Sequence, residues 1–343
     1  MSEIIEETKI DEEKKSAPQR KTKEQIKRER ALNASMVILS KKNQDQLGII
    51  SVQPEKNIFF LSSRMFVKVY TLKGVELTDN RKKTLVSALC SFSKHRMRLS
   101  SFSYKNSRSP LVFLTVFFPG NSYAAVADEI DDFDRMLSTL MEDKFKIQFV
   151  TCNMGDVFMF IYMNFNGQMK KITSKTVMKK SINLKKNFFQ DIKEVEGGYF
   201  INKNGKLGCT YICTQFPDEL ESPFVNLRKL GCAYLSCIDF QVLDKNYVSY
   251  FNRTLEESYN SKIEDNVENM INLTFILNMI YDSEKEQETC EELVSHILFE
   301  KGLIAAPGIG VQEKIVDSIA SFGLFDFHCS KNVNFDIVSK LFG

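Results

Sequence analysis

Two kinds of apolar spacing alternate along residues 36–165. Short segments rich in β-branched and aromatic residues predict strands, namely Leu47–Val52, Ile58–Leu61, Arg64–Leu72, Arg96–Tyr104, Leu111–Phe118 and Phe145–Thr151. Apolar residues at three-to-four spacing predict helices over Thr78–Ser93 and Ser122–Asp143. From Arg64 onward the order is strand, helix, strand, strand, helix, strand. This order predicts an α+β fold with a ferredoxin-like antiparallel sheet layer and helices on one face.

A second folded region is predicted after residue 187. Gly198–Asn202 and Lys206–Gln215 predict a hairpin that turns across Lys203-Asn204-Gly205. The further predicted elements are a short helix Pro223–Leu230, a strand Cys232–Gln241, two helices Asn246–Ser283 and Glu286–Lys301 that pack as a helical hairpin, and a last helix Gln312–Phe322. The predicted division is a charged tail 1–35, an α+β domain 36–165, a basic linker 166–187, a small α/β unit 188–245 and a helical region 246–343.

Composition restricts the class of protein. Apolar residues make up 43% of the 343 residues and charged residues 26%, which are ordinary globular values. The chain has 46 basic and 44 acidic residues, and this near balance argues against a nucleic-acid coat protein. The N-terminus is acidic and lacks the pattern of a secretory signal, and no apolar run reaches the roughly 18 residues of a membrane helix. We therefore expect a cytoplasmic protein, with its eight cysteines reduced and peripheral contact with the inner face of a membrane left open.

Two segments are strongly basic. Residues 14–30 follow an acidic block and predict a solvated tail, or an arm that touches an anionic surface. Residues 166–186 predict a solvated connector, or a basic patch that faces phosphate or lipid. The candidate contact residues of this second segment are Lys170, Lys171, Lys175, Lys179 and Lys180. No aromatic residue lies between the lysines, which disfavours the single-stranded nucleic-acid version.

Motifs for nucleotide or metal chemistry are incomplete. A phosphate loop needs Gly, four residues and Gly-Lys-Ser/Thr, and the nearest run, Gly308 to Lys314, lacks the second glycine beside the lysine. Cys209 and Cys213 would lie about 13 Å apart on a strand, at about 3.3 Å per residue, so they cannot chelate one ion together. We expect no catalytic, cofactor or metal site.

Other titratable groups give weaker signals. The three histidines, at positions 95, 296 and 328, are far apart in the sequence, and the neighbouring Cys329 and His328 point opposite ways on an extended segment. The predicted second helix carries five acids, for which a solvated face is favoured over a divalent-cation site: Asp128, Glu129, Asp131, Asp132 and Asp134.

Three segments resemble the N-terminal, non-motor region of the VirB4/TraC-type ATPases of type IV secretion and conjugation systems. They are Phe66–Val75, the strand Cys209–Phe216 with Pro217 and the following strand Cys232–Asp239, and Ile315–Gly323. The phosphate-loop and acidic-strand motifs of that family would lie beyond Gly343, so no catalytic residue carries over. The resemblance implies a docking or scaffold part of a conjugation machine at the cytoplasmic face of the membrane, and it leaves self-association open.

Three hypotheses follow for the function. The first is a non-catalytic interaction module that binds secretion-machine subunits or a motor ATPase. The second is a nucleic-acid or membrane-surface binder that uses residues 14–30 and 170–186, and the third is an enzyme with an unrecognised cysteine or carboxylate site.

Overall fold

One antiparallel sheet runs through the protein, which is seen in a computed structural model. The structure describes residues 21–73, 78–91, 95–105, 109–179, 181–189, 192–195, 198–243, 270–320 and 330–342. Fourteen strands of these residues form the sheet, and all their pairings are antiparallel. With the helices that cover it, the sheet confirms the α+β class.

The first half of the sheet is built from residues before 152. Its strands are β1 (Val37–Ile38), β2 (Ile49–Gln53), β3 (Ile58–Leu61), β4 (Met65–Lys73), β5 (Arg96–Ser103), β6 (Leu111–Pro119) and β7 (Gln148–Thr151). Its helices are α1 (Lys23–Ala34), α2 (Lys41–Leu47), α3 (Asp79–Ser91) and α4 (Tyr123–Met136), which continues as a π-helix over Leu137–Lys144. Strand β4 pairs with β6 and β7, and β6 pairs with β5. The strand order in this half is β1-β2-β3-β4-β6-β5, and β7 also pairs with β4.

Three helices follow β7 in the chain and lie on one face of the sheet. They are α5 (Met154–Asn166), α6 (Ser174–Val177) and α7 (Leu184–Phe188). The sequence pattern predicts no element over α5, because the residues of this helix are apolar on nearly all sides rather than along one stripe.

The second half of the sheet repeats the first in mirror order. Its strands are β8 (Ile192–Val195), β9 (Tyr199–Asn202), β10 (Leu207–Gln215), β11 (Ala233–Val242), β12 (Met270–Tyr281), β13 (Ile304–Pro307) and β14 (Lys331–Asn334). Its helices are α8 (Phe224–Lys229), α9 (Glu284–Glu300), α10 (Gln312–Ala320) and α11 (Phe335–Lys340). Strand β10 pairs with β12 and β13, and β12 pairs with β11.

The two halves are thus two units of the same topology, joined edge to edge. In chain order, β2 to β7 followed by α5 corresponds to β8 to β13 followed by α10, with α3 and α4 in the places of α8 and α9. The junction is the pairing of β5 with β11, where Arg98 lies opposite Asp239. The sheet is therefore continuous across the linker predicted at 166–187.

Two apolar clusters lie on opposite faces of the sheet. One lies under α3, α4, α8, α9 and α11, and the other under α5 and α10. Helices therefore cover both faces, whereas the sequence predicted helices on one face. Alternate residues of β4 enter the two clusters, because successive side chains of a strand point to opposite faces.

The helical hairpin predicted over Asn246–Ser283 and Glu286–Lys301 is wrong. Met270–Tyr281 is a central strand, β12, which pairs with β10 and β11, and residues 246–269 lie outside the described residues. The second predicted helix of the pair is present as α9. Because β12 is buried on both faces, it lacks the alternation of a half-exposed strand, and its apolar run also fits a helical spacing.

Candidate functional site

Residues 170–179 and 181–189 form a folded segment over α5, where the sequence predicted a solvated linker, and this segment is called the cover below. Its apolar residues are buried against the sheet and α5, namely Ile172, Val177, Leu184, Phe188 and Phe189. Aromatic rings fasten it, with centroids 5.3 Å apart for Phe158 and Phe188 and 5.7 Å apart for Phe165 and Phe189. Close packing at the start of α5 depends on Gly155, where a Cβ would lie 2.4 Å from the Ile172 carbonyl oxygen.

Helix α2 anchors the same cover from the side. The amide group of Asn43, which is buried, donates to the Ile182 carbonyl oxygen at 3.0 Å and accepts from the Leu184 N–H at 3.0 Å. These bonds give hydrogen-bond partners to two backbone groups of the cover that folding removes from water. The cover is therefore held to the body by polar contacts as well as by apolar ones.

The outer side of this cover carries the lysines that the sequence singled out. Lys170, Lys171, Lys175 and Lys179 are exposed, and Lys180 lies outside the described residues. Lys186 and, on the neighbouring α2, Lys42 are also exposed. These six described lysines, Lys42, Lys170, Lys171, Lys175, Lys179 and Lys186, are called the lysine face below.

The lysine face is electrostatically uncompensated within the described part of the chain. None of its six members forms an ion pair with a described residue, whereas the adjacent Lys41 pairs with Asp45 at 2.8 Å. Helix α5, which lies beneath, is about 20 Å long at about 1.5 Å per residue. Charges spread over this length are up to about two and a half Debye lengths of about 8 Å apart at physiological salt, so they repel each other little and their separate attractions to a nearby anionic surface add.

The other predicted basic segment does not join this face. Its residues 14–20 lie outside the described residues, and the rest forms the start of α1, which packs on α4 in the helical layer on the opposite face of the sheet. Arg28 of α1 pairs with Asp128 of α4, and Lys21 pairs with Glu29 at 2.6 Å. The charges of this segment are therefore partly neutralised by the protein itself.

The acids of α4 likewise form ion pairs and hydrogen bonds with other residues of the protein. Asp131 pairs with Lys56 at 2.9 Å, and Asp134 accepts from the Tyr70 hydroxyl at 2.6 Å and from Lys68. Burial, together with the negative charge of Asp134, holds the pKa of Tyr70 above its usual range. Among the described residues no group of three or more His, Cys, Asp or Glu side chains is arranged to hold a metal ion.

The described cysteines are mostly buried thiols. Burial raises the pKa of Cys209 to about 12 and that of Cys237 to about 11. The sulfur atoms of Cys232 and Cys290 lie 3.4 Å apart, and burial likewise raises the pKa of Cys232. Because the thiolate is the reactive species, thiols with pKa values this high are weak nucleophiles and weak metal ligands at neutral pH.

The histidines lie in separate environments. His95 is buried, and its ring centroid lies 4.6 Å from that of Phe118. His296 is exposed on α9 and lies 3.1 Å from Glu300. His328 and Cys329 lie outside the described residues.

Two cavities have linings in which lysines and acids pair. A cavity of about 200 Å³ near the end of α5 contains Lys105, whose ammonium lies 3.0 Å from Asp282 and 2.7 Å from Glu286. A second cavity of about 450 Å³ lies between α3 and α11, where Lys340 pairs with Asp79 at 3.1 Å. In the first cavity Lys105 and Lys206 pair with the carboxylates, and the lining of the second has four acids against two lysines, so neither presents an uncompensated positive charge comparable to the lysine face.

Sequence reasoning missed a buried ion cluster at the junction of the two units. Asp239 accepts from Arg96 at 2.6 Å and 3.1 Å and from Arg98 at 3.0 Å, and Arg98 also donates to the Ser318 carbonyl oxygen of α10 at 3.2 Å. The sequence does show these charged residues inside two predicted strands. It does not show that they pair, because Asp239 lies more than 140 residues from Arg96 and Arg98.

Comparison with known proteins adds no relative. No protein-family model matches the chain, and no curated protein is similar to it in sequence. Within the described ranges, none of the helices has the length and apolar content needed to span a membrane.

Proposed function

We propose that the protein is a non-catalytic interaction module that docks through the lysine face on an anionic membrane surface. The observation that carries this proposal is the group of six exposed lysines without described acidic partners, five of them on one folded cover and the sixth, Lys42, on the neighbouring α2. The cover is packed on α5 and bonded to α2, so docking requires little ordering of the backbone.

The composition of the lysine face favours lipid over nucleic acid. Met169 is 54% exposed and lies beside Lys170 and Lys171, which places an apolar side chain among positive charges, as at a membrane interface. The aromatic residues of the cover, Phe188 and Phe189, are buried, so bases have no described stacking platform there. Every basic residue between positions 166 and 189 is a lysine, which attracts headgroups as a point charge, and none is the arginine that recognises bases in a bidentate manner.

The expected strength follows from the number of lysines. A lysine near an anionic bilayer contributes about 1 kcal/mol. Removing four of the six should therefore cost about 4 kcal/mol, or about a thousandfold in the partition coefficient at about 1.4 kcal/mol per tenfold change.

The test is co-sedimentation of the full chain with vesicles of phosphatidylcholine, with and without phosphatidylserine. We expect binding that requires phosphatidylserine, falls with added salt, and drops about a thousandfold when Lys170, Lys171, Lys175 and Lys179 are replaced by alanine. The matched control removes four exposed lysines from other parts of the surface, and its binding should stay within tenfold of the parent: Lys27, Lys229, Lys285 and Lys331.

Two results would reject the proposal. One is equal loss of vesicle binding in the two quadruple variants, because it would reduce the effect to net charge. The other is tighter binding to a labelled single-stranded oligonucleotide than to the anionic vesicles at the same salt, because it would assign the face to nucleic acid.

The protein partners stay those that the sequence resemblance predicts, namely subunits of a conjugation machine and its motor ATPase. The direct experiment is affinity capture of motor subunits encoded beside this gene, for which a stoichiometric complex is expected. Capture of no such subunit, together with ATP turnover by the purified chain, would overturn the passive role.

A further inference from the structure

The repeated topology makes α4 and α9 equivalent helices. Each connects the last two strands of its unit, β6 to β7 or β12 to β13, and each packs its inner side on the same apolar cluster. The outer sides of α4 and α9 are therefore equivalent surfaces of the two units.

The outer side of α4 is occupied by another helix of the chain. Helix α1 lies along it, with Arg28 paired to Asp128 and the Asn33 side chain accepting from the Ala124 N–H at 3.0 Å. Leu32 of α1 is partly buried against the apolar cluster. A basic helix thus covers an acidic one, with few apolar contacts.

The outer side of α9 has no such cover among the described residues, yet it is both acidic and apolar. The helix carries six glutamates against one lysine. Its outward stripe of Glu288, Glu292, Ser295 and Phe299 follows helical spacing, and the Phe299 side chain is 71% exposed.

Further apolar side chains lie on α9 and on the elements that it contacts. Leu293 on α9 is 43% exposed, Val225 on α8 is 56% exposed, and Ile304 on β13 is 45% exposed. Both α8 and β13 contact α9. Exposed apolar residues grouped on neighbouring elements and rimmed by charge are typical of protein-binding surfaces.

We propose that the outer face of α9 binds a basic amphipathic helix of a partner protein, in the way that α1 lies on α4. Lysine and arginine side chains of the incoming helix would face Glu288 and Glu292, and its apolar stripe would cover Phe299. A second copy is disfavoured as the source, because its α1 is already held by Asp128 and Ala124 of its own α4.

The probe for the test is a labelled peptide of residues 21–36, since α1 is the helix that the structure shows on the equivalent face. Fluorescence anisotropy with the full chain should detect binding, and Phe299→Asp should weaken it at least tenfold. Phe299→Leu, which keeps an apolar side chain, should retain affinity within threefold. Asp128→Asn on α4 should also leave the affinity within threefold, because the proposed site is on α9.

Controls separate the surface from folding and from self-association. Phe299 is largely exposed, so the circular dichroism melting curve of Phe299→Asp should match that of the parent. A peptide with Lys27, Arg28 and Arg30 replaced by glutamate should lose at least tenfold in affinity. Absence of peptide binding, or equal binding by Phe299→Asp, overturns the proposal. Dimerisation in sedimentation equilibrium that Phe299→Asp abolishes also overturns it, because it would make a second copy the occupant.

Discussion

Replacement of Asp239 by asparagine tests the junction between the two units. Asp239 lies on β11 with its side chain 2% exposed, and it is the carboxylate that neutralises Arg98, whose side chain is also 2% exposed. The asparagine has nearly the same size but no charge, so Arg98 would keep its positive charge in the apolar layer beneath α10. Arg96 is 28% exposed and can turn its charge toward water.

The magnitude follows from burial. Removing one member of a buried ion pair costs about 3–5 kcal/mol, because an uncompensated charge is left behind. A domain is stable by about 5–15 kcal/mol, so this loss is a large fraction of the total. We expect Asp239→Asn to lower the free energy of unfolding by about 3–5 kcal/mol.

Urea denaturation followed by circular dichroism measures this loss. The matched control is Asp132→Asn, which removes the ion pair between Asp132 and Arg135. These two side chains are 67% and 77% exposed, respectively, so the expected cost is about 1 kcal/mol or less. A second variant, Arg98→Met with Asp239→Leu, should recover most of the stability, because it removes both buried charges. The reasoning is refuted if Asp239→Asn costs no more than the exposed control.

Two further substitutions test local features. Gly155→Ala would place a Cβ 2.4 Å from the Ile172 carbonyl oxygen, so we expect a loss of about 1–3 kcal/mol in thermal unfolding, and an unchanged melting temperature would contradict the close packing. Hydrogen bonds from Lys206 and Lys105 lower the pKa of Asp282, so this carboxylate contributes stability above its ordinary pKa that is lost as pH falls through the lowered value. The side chain is half exposed, so the effect is small. Asp282→Asn should therefore flatten the acid dependence of the urea midpoint slightly, and an identical pH profile in the variant would contradict this linkage.

The local elements were largely predictable. Residues Ile58–Leu61 form the strand predicted for them, and β4, β6, α3 and α9 begin and end within two residues of the predicted bounds. Turn residues, β-branched runs and three-to-four spacing act over a few residues, so they are visible in one sequence. The exposure of Lys170, Lys171, Lys175 and Lys179 also follows from charge alone.

The wrong or missing predictions concern segments that other elements of the fold bury on both sides. Strand β12 was predicted as helix and α5 was not assigned, and both are buried on nearly all sides. Without a wet side, a segment shows no contrast between apolar and polar positions, and this contrast is the signal that periodicity uses. The segment 166–187, predicted as a linker, is folded, and it was missed for a related reason, because its many lysines obscured the three apolar residues that anchor it, Ile172, Val177 and Leu184.

The sequence by itself determined the class of the protein, most of its helices and strands, and the lysines that face outward, because these depend on local spacing and on the cost of burying charge. The tertiary structure alone decided that β5 pairs with β11, so that two equivalent units share one sheet. It also decided which charges are neutralised, since α1 meets the acids of α4 while the lysine face meets no described acid. Pairings between residues a hundred or more positions apart depend on the packing of whole layers, and no short pattern in the chain encodes them.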